Sequence, residues 1–253
     1  MSRRSGLAGG GGSSSLSPTL IYSLDLTAQG NVGSISLGAF NVDGKEWQFV
    51  NGGLAEAPTL SLTTAAGLKL SAGPAGASYG WALLPLGEVG ATVLNALWRR
   101  PVVVTARAEI TTPAGGVTTV GQVYAQDGTD AAGKNNWSQC GNKLKNDGWY
   151  PTMVRTTTQY PAGINTIADN ITDDVVALTL FDSGSFAMAT GAWSSGYPQP
   201  GAMREHGAMS LANLGQPGVA LPTVGDLSVG VAVYQDGAAA TEVKLKGLKI
   251  EVY

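Results

Sequence analysis

The chain has 253 residues, of which only 13% are charged, with 36 glycines and a formal net charge of −3. That length suits a single large sandwich or barrel able to bury a core without disulfides or metals. Acids and bases are spread along the chain, which excludes the basic patch of a nucleic-acid binder and the acidic tail of a solvating segment.

The only cysteine, Cys140, leaves no internal disulfide framework and reads as an incidental thiol. No apolar run approaches the ~20 residues needed to span a bilayer. Arg3 and Arg4 are followed by glycines where a signal peptide would carry its apolar segment. The expectation is a soluble chain without membrane insertion, either cytoplasmic or assembled into a particle made in the cytoplasm.

Residues 1–18, MSRRSGLAGGGGSSSLSP, cannot hold a regular element when free. The composition fits a plain tail, and it equally fits an assembly arm that orders along a neighbouring subunit through Arg3, Arg4 and Leu7. The expected division is a Gly/Ser-rich N-terminal arm, 1–18, and a single β-sandwich domain, 19–253.

From Thr19 the pattern alternates with period two. Leu20 to Leu26 begins a strand, and residues 40–49 read as a hairpin turned by Asp43-Gly44 in the type I′ manner. Leu60/Leu62 and Leu68/Leu70 predict two short strands around a turn near Gly67. Residues 87–100 place Val89, Val93, Leu94, Leu97 and Trp98 at helical spacing before Pro101, which predicts a short helix. In Val102–Thr111 apolar and polar residues alternate, as in a strand with one face buried. Residues 117–126, 175–181 and 186–190 continue the series.

Near the C-terminus Leu227, Val229, Val231 and Val233 share one strand face. In the last run Val243 and Leu245 alternate, Gly247 shifts the phase, and Leu248, Ile250 and Val252 resume it, which predicts a β-bulge. Residues 127–151 and 191–222, rich in Gly, Asn and Pro, read as long loops of functional or interface type.

Motifs for chemistry are sparse. The lone histidine, His206, cannot build a multi-histidine metal site, and no Gly-x-Ser-x-Gly, Walker or dinucleotide motif accompanies it. The adjacent Asp173 and Asp174 would point to opposite faces of a strand, unlike the paired carboxylates of a sandwich glucanase. Asp127, Asp130, Asn135 and Asn136 lack calcium-loop spacing and read as turn formers. No metal or cofactor is expected, and the chain reads as non-enzymatic. Trp137, Trp149, Tyr150, Trp193 and Tyr197 fall in the two predicted loops. Aromatic faces beside amides suit a sugar site, a protein interface, or plugs for the sandwich ends.

The opening Met-Ser-Arg-Arg-Ser-Gly-Leu-Ala-Gly-Gly-Gly-Gly, with Tyr22-Ser-Leu-Asp-Leu and Asp43-Gly-Lys-Glu-Trp47, resembles structural proteins of tailed bacteriophages. The closing Val229-Gly-Val-Ala-Val-Tyr234 and Gly247-Leu-Lys-Ile-Glu-Val252 are similar to the last two strands of the concanavalin A-like lectin/glucanase fold. The resemblance implies an all-β, two-sheet antiparallel jelly-roll sandwich with at most one or two short helices. It further implies a virion decoration, fibre or appendage protein, a homo-oligomer whose partners are capsid or tail proteins or copies of itself. The alternative is a module binding a host-surface glycan or receptor, and a more remote one is a polysaccharide-cleaving glycosidase.

Overall fold

The computed structural model describes residues 17–52, 54–96, 100–113, 116–129, 135–145, 148–155, 158–161, 175–182, 185–192, 204–210, 227–235 and 239–253, with backbone alone for Leu94, Thr119 and 121–227. The first half carries β1 (Thr19–Asp25), β2 (Gly33–Ile35), β3 (Gly38–Val42), β4 (Lys45–Asn51), β5 (Thr59–Thr63), β6 (Gly67–Ala72) and β7 (Ser78–Pro85). Two short helices follow, α1 (Leu86–Val89) and α2 (Ala91–Ala96), then β8 (Val102–Thr111) and β9 (Val117–Thr129). The remaining strands are β10 (Asn135–Lys145), β11 (Gly148–Arg155), β12 (Thr158–Pro161), β13 (Val175–Asp182), β14 (Ser185–Ala192), β15 (Arg204–Ser210), β16 (Leu227–Gln235) and β17 (Thr241–Val252).

Two antiparallel sheets result. The first runs β15-β14-β13-β8-β17-β6-β5-β2, with β1 also on β17; the second runs β12-β11-β10-β9-β16-β7-β4-β3. This is the expected all-β sandwich. Its C-terminal strand has an unusual burden. One edge of β17 pairs with β8 along its length. On the other edge, residues 241–245 pair with β6 and residues 247–252 with β1. The register against β8 slips between Leu245 and Gly247, the bulge the phase shift predicted.

The core lies between the sheets. Leu24, Leu60, Leu62, Leu68, Leu70, Val104, Ala106, Ala108, Val243, Leu245, Leu248 and Ile250 face it from the first sheet. Trp47, Phe49, Ala82, Leu84, Val229, Val231 and Val233 meet them from the second. Each fully buried aliphatic side chain contributes roughly 1.5–3 kcal/mol, so the strands' alternation selects the two-layer arrangement.

The expected hairpin turn over residues 43–44 is present. Asp43 and Gly44 have φ of 52° and 69°, the type I′ geometry that joins β3 to β4. The expected helix over 87–100 is instead broken into α1 and α2 at Gly90, whose φ of 126° is not helical. Val93 is buried, and Val89 packs partly on the core; Leu97 and Trp98 lie outside the described residues.

The predicted loop over 127–151 is corrected. It contains the end of β9, all of β10 and the start of β11, with Trp137 in β10 and Trp149 and Tyr150 in β11. Asn, Gly and Lys weaken strand propensity but do not forbid pairing, and the neighbouring strands impose it. Pro151, which has no N–H, lies opposite Asn142 of β10. On its other side β12 reaches only Thr152–Arg155, so no ladder bond is lost there. The second predicted loop contains β15, in which His206 falls at a register shift against β14. Arg3, Arg4, Leu7, Trp193 and Tyr197 lie outside the described residues.

Two predictions follow from the core. Gly67 has a φ of 68°, and a Cβ there would collide with the Leu245 carbonyl oxygen. Gly67→Ala should therefore cost at least about 2 kcal/mol in urea-unfolding free energy, since both strain and collision oppose it. Tyr22 Oη is buried with no hydrogen-bond partner among the described residues. Burial, with the nearby Asp43 carboxylate, pushes its phenol pKa from 10.0 up to about 12. The folded chain then holds a proton that the unfolded chain releases, so the stability present below pH 10 declines as pH rises from 10 to about 12. Tyr22→Phe should flatten that alkaline decline in melting temperature without lowering stability at pH 7.

Candidate functional site

A two-layer sandwich has two outer faces, and here their chemistry differs. On β7, Ala82 and Leu84 point into the core, so Trp81 and Leu83 belong to the opposite face of the second sheet. Likewise Val231 and Val233 of β16 face inward while Ala232 faces out.

Trp81, Leu83 and Ala232 are only 5%, 1% and 2% exposed, although they lie outside the inter-sheet core. Val50 of β4 and Tyr79 pack against them and stay partly accessible. The register explains the cluster: Trp81 lies opposite Val50 on one side and Ala232 on the other, and Tyr79 lies opposite Tyr234. Ala232 lies opposite Trp81 and Gly230 opposite Leu83, where a Cβ would collide with the Ala82 carbonyl. Tyr79 and Trp81 have ring centroids 4.1 Å apart at 37°, and Tyr79 meets Tyr234 edge-on at 5.9 Å. Such contacts add about 0.5–1.5 kcal/mol beyond burial and fix the ring planes.

The backbone register relates the sequence-predicted aromatics to this face. Trp81 shares a row with Ala232, Thr119, Lys143 and Tyr150. Tyr150 is thus four strands away, about 19 Å at ordinary strand spacing. Trp149 pairs with Leu144, in the row of the core residue Val233. Trp137 pairs with Gln126. The strands therefore distribute these three residues over different rows instead of gathering them in a loop. The Tyr79–Trp81–Tyr234 group lies on strands β7 and β16 and not in the loops where the sequence pattern placed candidate binding aromatics. Its signal was Tyr79-Gly-Trp81-Ala-Leu83, aromatic and apolar residues two apart on a strand.

The first sheet's outer face is a charged ladder. Lys69 pairs with Glu242 at 2.5 Å, Lys244 with Glu109 at 3.0 Å and Lys249 with Glu251 at 2.6 Å, and Lys246 also binds Glu109. Hydrogen bonds from Lys246 and Lys244 hold the Glu109 carboxyl below its ordinary value of 4.5. At the end of β1, the Asp25 carboxylate accepts from the Thr27 hydroxyl at 2.6 Å and the Thr27 N–H at 2.9 Å, and those bonds lower its pKa. Among the described residues, no group of three His, Cys, Asp or Glu side chains is arranged to hold a metal ion. No helix among them is long and apolar enough to cross a membrane.

No protein-family model matches the chain, and no curated protein matches it in sequence. Solved structures do match in fold. The catalytic domain of an endo-1,3-beta-glucanase (laminarinase) from Thermotoga petrophila RKU-1 superposes with a TM-score of 0.53 at 10% identity, covering 93% of this chain and 98% of that one. The GH43 protein BlXynB from Bacillus licheniformis gives a TM-score of 0.53 at 11% identity, over 91% of this chain and 39% of that one. The exoplasmic/lumenal domain of VIP36, with Ca2+ and Man3GlcNAc bound, gives 0.44 at 12% identity over 81% of this chain and 82% of that one.

The chain is therefore a jelly-roll sandwich of the concanavalin A-like lectin/glucanase type. The expectation that it is non-enzymatic is overturned as an inference from fold and motif. The similar structures include a glucanase catalytic domain, so this architecture accommodates catalysis. Carboxylates that meet from separate strands carry no local motif.

A pH prediction follows from the ladder. A carboxylate held below its ordinary value contributes stability above pH 4.5 that is lost as pH falls through its lowered folded value. Melting temperature should decline below about pH 4.5, and Glu109→Gln should shrink that decline while leaving the alkaline limb unchanged.

Proposed function

We propose that the chain is a glycan-binding protein whose ligand lies on the outer face of β4, β7 and β16. The observation that carries this reading is the Tyr79–Trp81–Tyr234 ring group on the sheet face away from the core. Sugars present apolar C–H faces that stack on fixed aromatic rings, and the partly accessible Tyr79 and Tyr234 also bring phenolic hydroxyls. Trp81 lies deeper and holds the Tyr79 ring in place. The likeness in fold to a laminarinase catalytic domain supports beginning the ligand search with β-1,3-glucans.

The sequence resemblance to tailed-phage structural proteins adds a setting: the sandwich is displayed on a virion, and residues 1–18 bind capsid or tail proteins or another copy. Arg3, Arg4 and Leu7 are the contacts this assigns to the arm. Deleting residues 1–17 should leave the melting temperature within a few degrees and abolish oligomer or particle incorporation. Normal incorporation would show that the segment is a tail.

The glycan reading is tested by calorimetric titration of the full chain with laminarin oligosaccharides and a panel of other polysaccharides, with a reducing-end assay run alongside to record cleavage. Tyr79→Ala and Tyr234→Ala should each weaken binding at least about tenfold, the effect of losing an anchoring aromatic, and keep a cooperative melt, with a stability loss of about 0.5–1.5 kcal/mol for each ring contact removed. Unchanged affinity in both variants would exclude this face.

A further inference from the structure

β2 is the last strand at one end of the first sheet and β3 the last at one end of the second, and only Ser36 and Leu37 separate them in the chain. Among the described residues no strand pairs with the outer edge of β3. We infer that this edge is a homodimer interface, at which β3 pairs antiparallel with β3 of a second copy and joins the two second sheets into one.

The backbone is the first argument. A two-residue type I′ turn joins β3 to β4, so the flanking Val42 and Lys45 form a hydrogen-bonded pair. The register continues unbroken, so Phe40 and Gly38 also spend their N–H and C=O groups on β4. Those of Ala39 and Asn41 point the other way, out from the edge. Glu46 has the same phase: it lies opposite Asn41, and its amide donates to the Glu88 carboxylate instead of to β3.

The surface is the second argument. Edge strands that stay single are commonly guarded by charges, proline or a bulge. Residues 26–42 contain no charged side chain and no proline, and β3 meets β4 without a register shift. Val32 and Leu37, on either side of β2, are 61% and 50% exposed.

Charge and symmetry select a second copy as the occupant. Identical chains share a net charge of −3 and meet best on surface that carries none, which this edge supplies. An antiparallel edge also complements itself: a twofold axis at Phe40 sets Ala39 of each copy opposite Asn41 of the other, with a hydrogen-bonded pair on each side of the axis. The axis stands perpendicular to the sheet, so both copies turn the same outer face to the same side. The two β7 strands then lie about 24 Å apart at ordinary strand spacing. Under the proposed function one long glycan could engage both ring groups, but the dimer does not depend on that reading.

The test is sedimentation equilibrium of the full chain from micromolar to millimolar concentration, with backbone amide exchange followed over the same range. A reversible dimer is expected, with slowed exchange at Ala39 and Asn41 where it forms. Leu37→Lys adds like charges to the two facing edges, and Asn41→Pro removes an outward N–H. Each should raise the dimer dissociation constant at least about tenfold. Should Asn41→Pro fail to fold, Leu37→Lys decides, because Leu37 is exposed and its replacement leaves the core untouched. A monomer at every concentration would overturn the assignment. So would a dimer whose affinity the folded variants leave unchanged, as association through residues 1–18 alone would give.

Discussion

Everything in the first sheet depends on how β17 divides its edge. One strand holds β8 along its length while giving half of its other edge to β6 and half to β1. A regular strand would offer a continuous ladder with no place for two partners to meet. The slip at Gly247 provides that place, and the Leu26 amide reaches the Lys246 carbonyl at 2.8 Å to close the junction. Gly67 completes the arrangement by letting the β6 backbone approach Leu245 more closely than a side chain would allow. The N-terminal strand, the β5–β6 hairpin and the C-terminus are thereby tied into one layer. This layer presses Leu24, Leu68, Leu245 and Ile250 onto the second sheet.

The two outer faces then acquire different work from the same alternation. Residues between the core positions of β17 are lysines and glutamates, which pair across strands with Lys69 and Glu109 or, as Lys249 with Glu251, along β17 itself. Residues between the core positions of β7 are Tyr79, Trp81 and Leu83, which bury each other on a second apolar surface. A strand apolar on both faces needs cover on both; Trp81 and Leu83 are already buried, and in the proposed function a glycan stacks on the two partly accessible tyrosines beside them.

Much of the fold was legible because its signals are local. Asp43-Gly44 encodes a turn by the positive φ it requires, and Gly247 encodes a bulge by the shift of phase around it. Val102–Thr111 encodes a strand by plain alternation. The failures share a different cause. β7 reads Ser-Tyr-Gly-Trp-Ala-Leu-Leu-Pro, and burial on both faces erases the alternation that marks a strand. β10 is rich in Asn, Gly and Lys, and β11 contains Pro151; neighbouring strands impose their pairing. The site was obscured by the same limits. Tyr79 and Tyr234 are distant in sequence and become neighbours only through the β7–β16 register. The reading as a non-enzyme relied on a motif confined to one strand, a criterion that does not survey carboxylates brought together by the fold.

The most direct test of the central claim is a map of backbone amide shifts as a bound oligosaccharide is titrated into the full-length chain. The account predicts that the largest changes fall on Tyr79–Leu83 of β7 and Gly230–Tyr234 of β16, with β17 little affected. Changes confined to β17 and β1, or to residues outside β4, β7 and β16, would contradict it.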